Sequence, residues 1–390
     1  MRICHVVEAA GGGSGQVVID LIRSGVARGD DITLIFAPER ADWRFLADVD
    51  QLAGSITVLR VNMSRDVGAH DARSLWHLYQ VLRAGEPFDV IHSHSSKAGA
   101  LARIAGLGVK DAAQVYTPHG FMTLDTAAPR WYGRVESRLA GLADAILVGS
   151  HYELRHALTD LGLAPERLHL VPNAIRRDTI ADRDSARAAL GASPGEFVLG
   201  FIGRLVSIKN PRRLAETFIE VAAVRPNVTL AVVGEGEDDT VLLDLLESAG
   251  LMHRVRMLGG VRGIDVVAGF DTLLCTSDSE SFGLVLLEAM AVGVPVVSTP
   301  VGISEDILTN GVTGFRSTFQ PADLAASVAA IAALPADRRR AMGRAARQAV
   351  QRFTVGDMAD ATFDAYQAAI EARRRRTPSA WQAPATRASA

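Results

Sequence analysis

The residues best suited to chemistry lie in the second half of the chain. Glu280-Ser281-Phe282-Gly283-Leu284 opens a stretch that runs on to Glu288, directly after an apolar, strand-like run ending at Cys275. A helix beginning near Gly283 aims unpaired backbone N–H groups and the positive end of its dipole outward, which is where a phosphate sits. Gly283 permits close approach. Glu280, in the loop before that helix, and Glu288, more than a turn inside it, can grip different parts of one extended ligand. As acceptor-only groups they suit the hydroxyls of a ribose or a sugar better than a phosphate. Two glutamates at this spacing are common, so the pair takes its meaning from its context. That context is Gly203-Arg204-Leu205 and Lys209-Asn210, which follow the strand-like run 197–202. The first βα loop of a doubly wound domain binds phosphate. Arg204 offers a planar fork and Lys209 a point charge, together suited to a diphosphate.

The first half holds three further motifs. Gly11-Gly12-Gly13-Ser14-Gly15 follows the first strand and opens a helix, so its backbone can cradle an anion. It is not the dinucleotide fingerprint, because Gln16 stands where the third glycine belongs and no acidic residue closes the second strand at Phe36. Thr117-Pro118-His119-Gly120-Phe121 ends another strand, and a histidine at a carboxyl strand end followed by glycine points to the ligand edge of the sheet. His92-Ser93-His94-Ser95-Ser96-Lys97 ends a third strand. Its two histidines share one strand face and can hold zinc in principle, but no third ligand is evident. His94, Ser96 and Lys97 read instead as an acceptor site, with Lys97 facing an acceptor phosphate. Asp48-Val49-Asp50 and Asp182-Arg183-Asp184 formally satisfy Asp-x-Asp, yet both lie in polar connecting or helical stretches and read as surface carboxylates.

Elements that position these motifs alternate along the chain. Short apolar, β-branched runs and longer amphipathic stretches succeed one another, the pattern of βαβ units and a parallel sheet, so the fold class is α/β. Strands are expected at 2–7, 31–36, 55–61, 89–92, 114–117, 145–148 and 168–171, then at 197–202, 228–233, 255–258, 271–275 and 294–298. Helices are expected between most of them, at 16–27 and 75–82 for example. A polar segment and the turn Ser193-Pro194-Gly195 mark the boundary. The division is a Rossmann-like first domain over 1–175, a linker over 176–195 and a second Rossmann-like domain over 196–352. A helix over 353–376 can cross back onto the first domain, and 377–390 is a disordered tail. Two doubly wound domains in tandem set their carboxyl strand ends across a cleft.

Composition narrows the function. The 390 residues are 48% hydrophobic and 22% charged, as in soluble globular proteins, and their number exceeds what one core usually serves. The net charge of −3 without a long basic face argues against nucleic acid as a partner. Cys4 and Cys275 both fall in apolar runs and read as buried free thiols in a reducing compartment. The amino terminus runs straight into a strand, so a cytoplasmic protein is expected. Arg373 to Arg376 offer a peripheral contact with anionic lipid, although such runs usually face water as a solvated helix end.

Taken together, Arg204, Lys209 and the Glu280 to Glu288 stretch resemble glycosyltransferase family 4, and the similarity runs collinearly over the chain to about Arg352. The resemblance implies the GT-B fold of two facing Rossmann-like domains and retention of anomeric configuration. It implies that Arg204 and Lys209 hold the diphosphate of a nucleotide-sugar donor, Glu288 its ribose and Glu280 its sugar. Backbone groups at Phe282, Gly283 and Leu284 would contact sugar and phosphate, and Val261, in the loop 260–262, would border the base. His119 would lie beside the reacting sugar, completing a catalytic set with Arg204, Lys209 and Glu280. Gly12 and Gly13 would contact the donor phosphate or the acceptor. The similarity to capsule and exopolysaccharide transferases implies UDP as the usual carrier and a glycan or lipid-linked acceptor. Fixed cations and N–H dipoles can absorb the charge that builds on the leaving β-phosphate, so neither a metal nor another cofactor is expected. Two alternatives stay open: a nucleotide-sugar epimerase of the same fold, and a non-catalytic sugar-nucleotide-binding scaffold.

Overall fold

Seven parallel strands make the first sheet: β1 (Arg2–Val7), β2 (Asp31–Phe36), β3 (Thr57–Arg60), β4 (Val90–His94), β5 (Ala113–Thr117), β6 (Ala145–Val148) and β7 (Leu168–Leu170), in the order β3-β2-β1-β4-β5-β6-β7. Six more make the second: β8 (Phe197–Ile202), β9 (Val228–Val233), β10 (Val255–Leu258), β11 (Thr272–Cys275), β12 (Val296–Ser298) and β13 (Gly314–Arg316), in the order β10-β9-β8-β11-β12-β13. The structure is a computed structural model that describes residues 1–376 apart from Arg65, Lys110 and Thr126. The tail expected over 377–390 lies outside those residues. Helices cover both faces of each sheet, which is why strands such as β1 and β8 read as unbroken apolar runs.

Strand order reverses once in each sheet, between β1 and β4 and between β8 and β11. At such a switch point the flanking connections leave in opposite directions and open a crevice at the carboxyl strand ends. The glycine loop follows β1 and the Ser95-Ser96-Lys97 segment follows β4, while Arg204 follows β8 and Glu280 follows β11. Every candidate motif therefore sits at a sheet's ligand edge.

Two parts of the expected organisation change. The stretch read as a linker over 176–195 contains a helix, Arg183–Leu190, that belongs to the second domain. Its Leu190 packs with Phe270 in that core, and Arg183 and Arg187 both bind the Asp271 carboxylate. Asp182 caps this helix by accepting N–H bonds from Asp184 and Ser185, while Asp48 pairs with Arg23 at 2.6 Å, so one member of each Asp-x-Asp motif has a structural partner. The second change is β13, an edge strand of three residues that carries no alternation to read. Helix Val355–Arg376 packs across the first sheet, burying Phe363, Tyr366 and Ala369 against that domain's core. Its basic end is partly tied down. Arg376 reaches the buried Asp144 carboxylate at 3.1 Å, and Arg373 donates to the Val109 carbonyl, which leaves Arg374 and Arg375 exposed.

Candidate active site

The second domain contributes two cations. Arg204 is exposed at the end of β8, and its guanidinium makes no ion pair or hydrogen bond among the described residues. Lys209 ends the short turn Ser207–Lys209, and its ammonium donates to Glu280 Oε1, which also accepts a bond from Ser277 Oγ at 2.8 Å. Burial lowers the Lys209 pKa, but the Glu280 carboxylate outweighs it and holds the ammonium above its ordinary range. The helix expected near Gly283 is Leu284–Ala291, and Gly283 caps it with φ of 91°, a left-handed conformation that glycine adopts without strain. Phe282 is a core residue, set edge-on to Phe353, and its carbonyl already accepts from Ile303 N–H at 2.7 Å. A ligand can therefore meet this loop through backbone N–H groups, not through the Phe282 ring. The Glu288 carboxyl has no hydrogen-bond partner among the described residues, and burial pushes it up to about 7.

Both domains line the cavity that Glu288 faces. Its volume is about 250 Å³, and Gly12, Gly13, Arg44, Arg262, Leu284 and Glu288 contribute to its wall. Val261, next to Arg262, is 36% exposed. Gly13 is a point of close approach between the domains, since a Cβ there would come within 2.7 Å of Leu284 Cδ1. Gly12 differs from the anion cradle the sequence suggested. Its N–H donates to Asp42 Oδ2 at 2.9 Å, because Asp42 caps the neighbouring helix Trp43–Gln51 and its second oxygen reaches the glycine turn.

The acceptor candidates are mostly engaged within the protein. Lys97 does not stand free for a phosphate: its ammonium pairs with Asp71 at 2.7 Å and donates to the Asp66 carbonyl. Ser96 lies beside the buried Tyr116 hydroxyl. His94 is fully buried, bonded to His119 through Nδ1 and to His5 through Nε2, each at 3.0 Å. His119 is half-buried at the edge of the cleft with φ of 52°, and burial lowers its imidazole to about 4. Its carbonyl accepts from Ser281 Oγ across the domain boundary at 3.1 Å.

Two residues outside the sequence reading, His5 and Glu153, and a third read only as part of a loop, Ser281, shape this site. His5 is the third histidine that His92 and His94 lacked: ligand atoms of the three lie within 4.8 Å of one another. Its signal was a polar residue inside the buried run of β1. Glu153 accepts N–H bonds from Gly120 at 3.0 Å and Gly149 at 2.8 Å, and desolvation pushes its carboxyl up to about 7 despite those bonds. Its signal was the spacing Ser150-x-x-Glu153, a capping box. Ser281 was legible only as part of the glutamate loop.

Comparison with known proteins agrees with this architecture. Residues 12–174 match the glycosyl transferase 4-like domain, and residues 182–349 match the glycosyl transferases group 1 family. The D-inositol 3-phosphate glycosyltransferase of Gordonia bronchialis is 31% identical over 330 residues, 77% of this chain and 71% of that protein. The protein of the same name from Segniliparus rotundus is 31% identical over 250 residues, 60% of this chain and 54% of that protein, so the match spans little more than half of that relative's length. Anabaena Alr3699/HepE, solved with UDP and glucose, superposes with a TM-score of 0.81 at 22% identity, covering 94% of this chain and 99% of that one. Sucrose-phosphate synthase of Thermosynechococcus elongatus gives 0.77 at 18% identity over 94% of this chain and 98% of that one. With both domains matched in order, and with the two switch points facing one cleft, the chain belongs to the GT-B glycosyltransferases of the family 4 type, enzymes that transfer a sugar from a nucleotide sugar.

Proposed function

We propose that this chain is a retaining glycosyltransferase that takes its sugar from a UDP-sugar, without a metal, and passes it to a phosphorylated or lipid-linked glycan acceptor. The observation that carries the donor half is the pair of cations after β8, at the same sheet edge as the helix that starts at Leu284 after the adjacent strand β11. The Arg204 guanidinium has no partner among the described residues and Lys209 is held by Glu280, so a planar fork and a point charge stand at the sheet edge where that helix starts, and a diphosphate gains from the cations and the helix N–H groups together. Glu288, at the cavity wall, supplies a carboxylate for ribose hydroxyls. UDP as carrier is supported by the HepE complex, which contains UDP and glucose. Relatives named for inositol 3-phosphate support an acceptor that carries phosphate.

As the nucleotide leaves, negative charge grows on the β-phosphate while the sugar becomes cation-like. Arg204, Lys209 and the helix N–H groups stabilise that charge and serve the role a metal would otherwise fill. Glu280 already accepts from Lys209 and Ser277, which suits it to binding a sugar hydroxyl more than to attacking the anomeric carbon. Retention then follows from attack on the face the phosphate leaves, with that phosphate taking the acceptor's proton. Arg374 and Arg375 are free to meet an anionic membrane surface, and co-sedimentation with anionic against neutral vesicles tests that contact.

The donor reading is tested by thermal stabilisation with UDP, GDP and ADP in chelator, on the wild type and on Arg204→Ala and Glu288→Ala. A rise in melting temperature with UDP alone, lost in both variants, supports it, because a ligand that binds only the native state stabilises by mass action. No shift with any nucleotide at millimolar concentration refutes it. Release of free epimer from the UDP-sugar alone would replace transfer by epimerisation.

A further inference from the structure

Four histidines form one connected group beneath the cleft, and they differ in what their nitrogens do. His119 Nε2 lies 3.0 Å from His94 Nδ1, and His94 Nε2 lies 3.0 Å from His5 Nδ1. Consecutive rings are stacked with centroids 5.3 Å apart. The three come from neighbouring parallel strands: His5 within β1, His94 at the end of β4 and His119 just after β5. His92 packs against His94 with centroids 3.9 Å apart, but its two nitrogens are bonded to the hydroxyls of Tyr366 and Thr117, each at 2.7 Å.

Burial keeps all four rings neutral at neutral pH. It lowers His5 and His119 to about 4 and His92 and His94 well below the ordinary imidazole value, with neighbouring rings adding to the effect on the last two. A neutral imidazole has one N–H and one bare nitrogen. His94 is bonded through both of its nitrogens, so it donates at one and accepts at the other. The chain then has two proton arrangements. Either all three rings carry the proton on Nε2 and His119 presents a bare Nδ1, or all three carry it on Nδ1 and His119 presents a donor.

We propose that His94 and His5 are positioning residues that fix the tautomer of His119, and so decide whether its Nδ1 donates to or accepts from a sugar hydroxyl. This rests on the reading of His119 as the group beside the donor sugar. A metal on His5, His92 and His94 fits less well. It would have to displace the bond between His94 and His5 and at least one hydroxyl from His92. It would also place a dication in a fully buried site whose candidate group contains no carboxylate.

The test uses ¹⁵N NMR of the histidine rings with steady-state kinetics on the wild type and on His5→Phe, His5→Asn and His119→Ala. In the wild type His119 should show a single tautomer. His5→Phe keeps an aromatic ring but ends the chain, so the His119 tautomers should mix and kcat should fall about tenfold, the bias one neutral hydrogen bond supplies, with donor KM within about twofold. His5→Asn retains a polar atom near the Nδ1 position and should restore both the single tautomer and kcat, which separates the relay from a packing defect. Unchanged His119 resonances and kcat in His5→Phe would overturn the relay. Stoichiometric Zn²⁺ retained by the wild type and lost in His5→Phe would overturn it in favour of a metal site. Full kcat in His119→Ala would instead remove the reading of His119 on which the relay rests.

Discussion

Glu153 offers a direct measure of how strongly the interior beneath the cleft resists charge. Its carboxyl is 2% exposed and accepts from Gly120 N–H and Gly149 N–H, and desolvation raises its pKa from 4.5 to about 7. A carboxyl whose folded pKa is raised makes folding take up a proton. Its contribution to stability is complete below pH 4.5 and is lost as pH rises through 7. With these two values the wild type should lose about 2.5 kcal/mol between pH 5 and pH 8 through this one group. Glutamine does not titrate, so the pH dependence of the difference between wild type and Glu153→Gln isolates that loss. Urea unfolding followed by circular dichroism at both pH values measures it. The substitution carries its own cost, since the glutamine NH₂ turns a donor toward a backbone donor, about 1–3 kcal/mol. The expected result is a difference that moves by about 2.5 kcal/mol in the variant's favour from pH 5 to pH 8. A difference that stays the same at both would refute the claim that burial holds this carboxyl near 7.

Arg204→Ala and Lys209→Ala should each lower kcat by roughly 10²–10³, the range for losing one transition-state donor, in a sugar-transfer assay; a loss under threefold in both would remove them from the charge-stabilising set. Gly13→Ala places a methyl 2.7 Å from Leu284 Cδ1, the mobile end of a side chain, so the melting temperature should hold within about 2 °C while donor KM rises several-fold. Tyr366→Phe removes the hydroxyl bonded to His92 Nδ1 and leaves a buried ring nitrogen without a partner, which should cost about 1–3 kcal/mol in urea unfolding.

Much of the fold was readable because parallel strands buried on both faces are continuous apolar runs, and twelve of the expected strands coincide with β1 to β12 to within a few residues. The helix Gly12–Ala27 begins four residues earlier than the expected 16–27, since packing overrides the low helix propensity of Gly12, Gly13 and Gly15. The donor motifs were legible because they are local, each a loop of a few residues after one strand. The acceptor side was not, because its groups are defined by partners far away in sequence. Lys97 looks free until Asp71 is seen beside it, and the His92-Ser93-His94 pair looks incomplete until β1 brings His5 alongside. Partner identity over long sequence separations is a property of topology, and no spacing within a motif encodes it.

Loop 277–283 joins the two halves of the site. Glu280 binds Lys209 on the donor side, and the next residue faces the other domain, where Ser281 Oγ donates to the His119 carbonyl and Ser281 O accepts from Ser150 Oγ at 2.7 Å. The hydrogen-bonded pair His151–Asp306 and the ion pair Arg155–Glu305 also cross the boundary, but the His151 and Arg155 side chains are more than half exposed, and such pairs are worth little. The His119-Gly120 turn is strained, with φ of 52° and 112°, and a strained turn persists only where its surroundings over-determine it. Here Glu153 holds Gly120 from the first domain and Ser281 holds His119 from the second. The conformation of His119 therefore depends on both domains being docked, and the residue that docks the second domain is covalently next to the one that binds Lys209. The donor-side contact Lys209–Glu280 and the cross-domain contact Ser281–His119 are thus made by adjacent residues of one loop, so the backbone between them fixes the spacing of the two groups.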